Sequence, residues 1–374
     1  MPPIAFPHQI RLVRGTLSLH ISHADQPLDT LLDIAERRNP KRAFLFVSKV
    51  LGRHIPVAPA AMRAAFTALA DQLPDDLPGP VLVVGMAETA TGLGAGVQQV
   101  LSRKRPDTLY LSTTRHSLGL PLLTVFREEH SHAADHLIHR PVDEAICQQL
   151  LQARSLVLVD DEASTGNTFI NLVQALRAAG LSQLERIVTA TLVDWSGDAV
   201  QTALGETASA ISLLSGRWRW EPDIHAPAPE MPCVDTVARG AWTPDLSRDW
   251  GRLGVCATPS SGIPKANAVP GEKILVLGSS EFVWPPFLLA EQLAAQGADV
   301  RFGSTSRSPI ATGLAIRHAF AFTDNYGLGI ANFLYNVRPE DYDRVLLCVE
   351  TAPDLVDPHL QQLIPNLEIL TYAE

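Results

Sequence analysis

Cysteine is scarce in this chain: four residues in 374, at Cys147, Cys233, Cys256 and Cys348. They form no CxxC pair and no zinc-type spacing, so free thiols in a reducing compartment are expected rather than a disulfide scaffold. No run reaches the roughly 18 apolar residues of a spanning helix, which excludes a membrane-embedded helix as the working part. Residues 1–7 lack a basic stretch followed by an apolar core, so a cytoplasmic protein is expected. Positive charge is in deficit, with 30 Lys and Arg against 40 Asp and Glu, a formal net charge of −10. That balance argues against broad nucleic-acid binding, which needs Lys and Arg to neutralise phosphates. It leaves room for a single phosphorylated ligand, because Mg²⁺ and backbone amides supply a positive field locally. Repeats, heptads and low-complexity tracts are absent. What remains is a globular composition, 46% hydrophobic and 19% charged, long enough for two or three domains.

Residues 155–168 carry the strongest pattern. Leu156, Val157, Leu158 and Val159 read as a buried parallel strand. The strand ends in Asp160 and Asp161. A small polar turn follows, through Ala163, Ser164, Thr165, Gly166, Asn167 and Thr168, and then a helical pattern at Phe169, Leu172, Val173 and Leu176. Such a turn sets backbone N–H groups and hydroxyls at a helix N-terminus, where an anion is favoured. Gly166 permits a positive φ and a close approach. Two carboxylates can accept hydrogen bonds from sugar hydroxyls and help to hold Mg²⁺.

Other segments are placed by the same rules. Residues 1–30 suggest an arm or hairpin about Gly15, and 28–38 a helix. Residues 41–54 set basic side chains, Lys49 and Arg53 among them, around an apolar centre. They are either solvated flanks or a lid facing an anion. A helix over 60–73 precedes a second strand-to-loop unit, Val81 to Val84 into Met86, Ala87, Glu88, Thr89, Ala90 and Thr91. Gly92, Gly94 and Gly96 follow at a spacing that does not fit a dinucleotide fingerprint. They suit either a phosphate loop or close helix–strand packing. A strand over 108–113 leads to Arg115 and His116. Residues 126–136, dense in ionisable groups, read as an exposed loop. His130, His132 and His136 match no zinc pattern there. After a helix over 142–151 and the 155–168 unit comes a strand over 186–193, then Trp195, which either stacks on a base or packs in the core. Residues 211–220 suggest a bent strand or hairpin.

Residues 221–270 are rich in Pro, Gly, Ser and Ala and hold the expected boundary. A second α/β unit begins at Lys273: strand, Gly-Ser-Ser turn, helix, strand over 299–302, a helix-like run after Pro309, and a strand over 344–349. Loops at the carboxyl ends of parallel strands bind ligands, which makes Glu281, Arg307 and Asp324 candidates. Arg307 stands between hydroxyls and suits a phosphate or carboxylate, or a salt bridge at a domain surface.

The 155–168 stretch resembles the phosphoribosyl diphosphate (PRPP) signature of type I phosphoribosyltransferases: apolar strand, two acids, small residues, then Thr-Gly-x-Thr. Asp160, Asp161, Thr165, Gly166 and Thr168 all match. The resemblance implies a parallel sheet flanked by helices, with a hood from the N-terminal segment. It puts the 5-phosphate on Ala163, Ser164, Thr165, Gly166, Asn167 and Thr168, and the ribose hydroxyls on Asp160 and Asp161. These acids would also hold Mg²⁺, partly through water. Pyrophosphate would lie on Met86, Ala87, Glu88, Thr89, Ala90 and Thr91. Lys49, Arg53 and Trp195 become hood or base contacts. Residues 114–136 become a closing loop, with Arg115 and Arg127 on pyrophosphate and Glu129 or a histidine assisting proton transfer.

The second half resembles the TRSP domain, through Ser306-Arg307-Ser308-Pro309, with Ser where the motif has Thr. Together the halves are similar to bacterial two-domain proteins of tellurite-resistance and stress operons, for which a role in making a nucleoside-like metabolite has been inferred. The implied layout is 1–215 for a phosphoribosyltransferase-like domain, 216–270 for a linker, and 271–374 for a smaller Rossmann-like domain. The expected activity is Mg²⁺-dependent transfer of ribose 5-phosphate from PRPP to a base-like nitrogen, in a homodimer. The alternative is a PRPP- or nucleotide-sensing module without catalysis.

Overall fold

A computed structural model describes residues 6–39, 42–127, 135–227, 242, 244–259 and 262–372. The chain opens with a hairpin about Gly15, β1 (His8–Leu12) and β2 (Gly15–Ala24), as its alternation predicts. The helix expected over 28–38 does not form. One turn, α1 (Leu28–Leu31), gives way to β3 (Leu32–Glu36), antiparallel to β4 (Phe44–Ser48). The reason is periodicity: Leu32 and Ile34 are buried while Asp33 between them is exposed, which is a strand's period of two.

Next come α2 (Pro59–Ala70), β5 (Val81–Gly85), α3 (Thr91–Ser102) and β6 (Thr108–Ser112). A hairpin of β7 (Leu122–Arg127) and β8 (Asp135–His139) follows, then α4 (Glu144–Leu151). The signature strand is β9 (Ser155–Ala163), and α5 (Asn167–Ala178) is its helix. β10 (Arg186–Asp194), α6 (Ala199–Leu204) and the long β11 (Ala208–Pro222) complete the sheet. Its order is β1-β2-β11-β10-β9-β5-β6, with β11 through β6 all parallel. β9 sits between β10 and β5, so its apolar residues are covered on both faces, and Leu156 to Val159 have no exposed surface. Residues 211–220 form one bent strand, with a register shift between Ser215 and Gly216 where β11 meets β2. Residues 216–222, expected in the linker, still pair in this sheet.

The second sheet is built from β12 (Lys273–Gly278), α7 (Trp284–Ala295) and β13 (Asp299–Ser304). No helix follows Pro309. The chain runs instead to a hairpin of β14 (Ala319–Thr323) and β15 (Ala331–Tyr335), tied at Ser306 to Phe333. β16 (Arg344–Cys348), α8 (Pro358–Leu363) and β17 (Leu367–Leu370) end the fold. The order β13-β12-β16-β17 is fully parallel.

The two sheets share one apolar core. On α7, Phe287 packs edge-on against Phe66 of α2, with ring centroids 5.3 Å apart, and Trp284 lies beside both. Residues 244–259 run along the outer edge of β6, where Tyr110 and Val255 exchange backbone hydrogen bonds of 2.8 and 2.9 Å. The glycine run on α3 serves this packing. A Cβ on Gly96 would stand 2.2 Å from the Phe66 ring, and one on Gly94 would stand 2.7 Å from the Gly85 backbone. Phe66 has no exposed surface into which to retreat. Gly96→Ala should therefore destabilise the protein by about 1–3 kcal/mol, as overpacked cores do, read as a lower urea midpoint in equilibrium unfolding.

Candidate active site

β5 and β9 are neighbouring parallel strands, with Gly85 paired to Val159. Their carboxyl ends therefore open side by side. The amide of Met86 donates to the Val159 carbonyl at 3.0 Å, one residue before Asp160. The acid pair and the 86–91 loop are thus brought together by sheet register alone. Asp160 and Asp161 are half-buried at the strand end.

Beyond them the chain turns into α5. Gly166 takes φ +79°, and a Cβ there would meet Val200 at 2.7 Å, so position and space both favour glycine. The N–H groups of Thr165, Gly166 and Thr168 donate to no described group. With the exposed Thr165 hydroxyl they favour an anion at the N-terminus of a 12-residue helix. On the neighbouring loop the Ala87 amide donates to Thr113 Oγ1 and the Ala90 amide to the Met86 carbonyl. The Glu88 and Thr89 amides between them donate to no described group.

The side chain of Glu88 has a different fate. It is ion-paired with Arg53 and with Arg307, and all three are largely buried. Burial alone would raise its pKa; Arg307 and then Arg53 outweigh this and hold it below the usual carboxylate range. Arg53 also donates to the Ser280 carbonyl at 2.5 Å and to Ser304 Oγ at 3.3 Å. It therefore bridges to the second sheet and is not placed as a hood contact. Lys49, the other basic hood candidate, donates to the Asp29 carbonyl at 2.5 Å. Trp195 is buried and stacked on Phe46 of β4, with centroids 4.8 Å apart, which is its core-packing alternative.

The candidates of the second unit also face inward. Glu281 accepts from Thr114 Oγ1 and from the Arg115 amide, each at 2.6 Å, at the root of the β7–β8 hairpin. Arg307 reaches His116 Nε2 at 3.2 Å as well as Glu88. Asp324 is occupied by its own turn, accepting from the amides of Tyr326, Leu328 and Ile330. Arg115 is buried, and its Nη1 donates to the Asp135 carbonyl at 2.9 Å, so it is not presented as a free pyrophosphate contact. Glu129, His130 and His132 lie outside the described residues. His136 does not belong to an exposed loop: it is buried, 2.9 Å from Thr113 Oγ1 and stacked on Phe126.

The profile of a family described as phosphoribosyl transferase matches residues 31–217, half of the chain. The chain belongs to the phosphoribosyl transferase family. A TRSP domain, described as lying C-terminal to such a domain, matches residues 258–367. No curated protein matches. Solved structures similar to this chain include adenine phosphoribosyltransferases from three organisms. That of Rhodothermus marinus is 18% identical, covering 50% of this chain and 96% of its own, at a TM-score of 0.34. That of Thermoanaerobacter pseudethanolicus is 16% identical, covering 50% and 97%, at 0.36. That of Trypanosoma brucei, in complex with AMP, pyrophosphate and ribose-5-phosphate, is 13% identical, covering 52% and 81%, at 0.36.

Several residues around these loops carried no signal in sequence. Arg42 donates to Glu162 at 2.7 Å and lies over the Phe44 ring at 4.6 Å, pinning the β3–β4 hairpin to the acidic strand end. Arg252, from the boundary segment, forms a bidentate pair with Glu350 at 2.7 and 2.8 Å and reaches Glu281 at 3.2 Å. Tyr326 Oη lies 2.7 Å from the same Glu350, and its ring stacks on His116 at 4.1 Å. The hydrogen-bonded partners stand 24 to 120 positions apart along the chain, so no local spacing could announce them.

The cluster sets a pH dependence. His116 is lowered to about 4, first by burial and also by Arg307 and Arg252, while Glu281 and Glu350 act the other way. His54 is lowered to about 3, by burial and then by Arg53 and Arg37. Both rings are neutral in the fold at pH 7. Unfolded histidine takes a proton near 6.5, so between about pH 6.5 and 4 the unfolded chain binds protons that the fold refuses. Stability should fall as pH falls through that window, by up to about 1.4 kcal/mol per pH unit for each ring. Glu281, held at about 2 against the opposing effect of burial, extends the loss below the unfolded carboxylate range. Urea unfolding at pH 7, 6 and 5 should show the midpoint dropping, and His116→Gln should flatten the slope.

Proposed function

We propose that this protein is a PRPP-dependent phosphoribosyltransferase that transfers ribose 5-phosphate to a base-like nitrogen nucleophile and releases pyrophosphate. The observation that carries the reading is the pairing of β5 with β9. It sets the open Glu88 and Thr89 amides beside an acid pair and a glycine-bearing turn with three further open amides. That spacing of two anion-favouring loops about two carboxylates suits a sugar phosphorylated at both ends. The 5-phosphate takes the Thr165–Gly166–Thr168 amides, the diphosphate takes the 88–89 amides, and the ribose hydroxyls donate to Asp160 and Asp161.

The reaction then needs little from the chain beyond position and field. The bond from ribose C1 to the diphosphate oxygen breaks, and pyrophosphate leaves with the electron pair. A C1–N bond forms, and the nucleophile gives up its proton to solvent or to the leaving group. Positive charge grows on the ribose ring, as in other glycosyl transfers, and the carboxylates of Asp160 and Asp161 stabilise it. The donors also fit Mg²⁺. They are two adjacent carboxylates, and among the described residues no group of three or more metal-ligating side chains gathers. That suits an ion which keeps waters and completes its shell on substrate phosphates. When bound, Mg²⁺ would neutralise diphosphate charge. The product is proposed as a nucleoside-like metabolite of a stress response, on the likeness to two-domain proteins of tellurite-resistance operons.

Asp161→Asn should lower turnover by about 10²–10³ while leaving the urea midpoint near that of the wild type. The measurement is pyrophosphate release from PRPP with a panel of bases, with and without Mg²⁺. Near-normal turnover in that variant would remove the acid pair from the mechanism. Tight PRPP binding without release on any base would favour the sensing module instead.

A further inference from the structure

A buried polar seam runs between the two sheets. It joins Glu88, Arg53 and Arg307 to His116, Glu281 and Arg252. Two of its arms end on elements of the proposed PRPP site. Arg307 ends on Glu88, whose own amide and that of Thr89 are the open donors of the 86–91 loop. Glu281 ends on Thr114 and Arg115, where the chain leaves β6 towards the β7–β8 hairpin. Both arms come from loops at the carboxyl ends of strands in the second sheet, after β12 and after β13.

The charges explain why such arms are needed. A diphosphate is a polyanion, and Glu88 puts a carboxylate in the very loop that would receive it. At a few ångströms and low local dielectric, like charges repel strongly. Arg53 comes from the same half of the chain as Glu88, and Arg307 from the other. Each guanidinium offsets part of the carboxylate charge and also fixes where the side chain lies. With the side chain held, the 88–89 peptide groups keep one orientation.

Resting on the transferase reading above, we propose that the TRSP unit is a built-in support for the pyrophosphate loop, and that Arg307 is its positioning residue for PRPP binding. The residue touches no substrate in this account. It acts through Glu88.

The test compares wild type, Arg307→Met, Arg307→Lys and the double variant Arg307→Met/Glu88→Gln in the full chain. PRPP and pyrophosphate affinities are measured by calorimetry, and hydrogen exchange is followed at residues 87–91. Arg307→Met should weaken PRPP binding on the order of ten- to a hundredfold, the cost of a misplaced binding group, and speed exchange at Ala87 and Ala90, the loop amides that are hydrogen-bonded in the wild type. Glu88→Gln in that background should recover much of the affinity, because the carboxylate charge that Arg307 offsets is then gone from the loop. A residue that merely joins the two units would not be rescued this way. Glu291→Gln, which breaks the Arg63–Glu291 pair (2.6 and 2.8 Å) elsewhere along the same seam, should leave PRPP affinity unchanged. If Arg307→Met does not fold, Arg307→Lys keeps the charge and loses the fork. Its PRPP affinity should then fall and its exchange at 87–91 rise. Wild-type affinity and exchange in folded Arg307 variants would overturn the proposal and leave the transferase reading standing. A wild-type protein that binds neither PRPP nor pyrophosphate would overturn both.

Discussion

The position of one carboxylate constrains much of this structure. Glu88 lies in a loop where its own amide and that of Thr89 donate to no described group, and its side chain is largely buried without bulk water to solvate it. A buried charge is tolerated only when paired. The first half of the chain supplies one partner, Arg53, and the second supplies the other, Arg307. Satisfying Glu88 therefore brings the loop after β13 down onto the loop after β5. Arg307 in turn meets His116, and Glu281 and Arg252 carry the same contact on to Glu350 and Tyr326.

Apolar packing and ion pairing divide the work at this seam. Phe66, Trp284 and Phe287 bury aromatic surface between α2 and α7, which supplies attraction roughly in proportion to area and with little directional preference. Buried ion pairs add little net stability, because desolvation consumes most of the Coulomb gain. Their geometry is demanding, however. The bidentate fork of Arg252 on Glu350 and the two guanidinium groups on Glu88 admit one register of the sheets and few others. The apolar seam holds the units together, and the ionic seam fixes how they sit.

Legibility in the sequence followed the range of the interactions. The strand, acid pair and turn at 155–168 are local, and the fold has them as read: continuous apolar residues for a doubly covered strand, and a glycine at φ +79° where the turn demands one. Residues 28–38 failed because a short amphipathic stretch satisfies a helical period over one turn, and only pairing with β4 selects the strand. The run after Pro309 failed likewise, since its partner β15 comes later in the chain. Arg53, Arg115, Glu281 and Arg307 were candidates by residue type and by their place near strand ends and loops. Their neighbours decide what they do, and those neighbours are up to 251 positions away.

By itself, then, the sequence determined the strand-to-turn units, their anion-favouring character and the family they belong to. These rest on backbone conformation and hydrophobic period over a dozen residues. Only the tertiary structure decided that the conspicuous charges of the second unit close on the first instead of opening to solvent. Charge complementarity acts through space. Glu88 and Arg307, with more than two hundred residues between them, become a pair only once both sheets have formed.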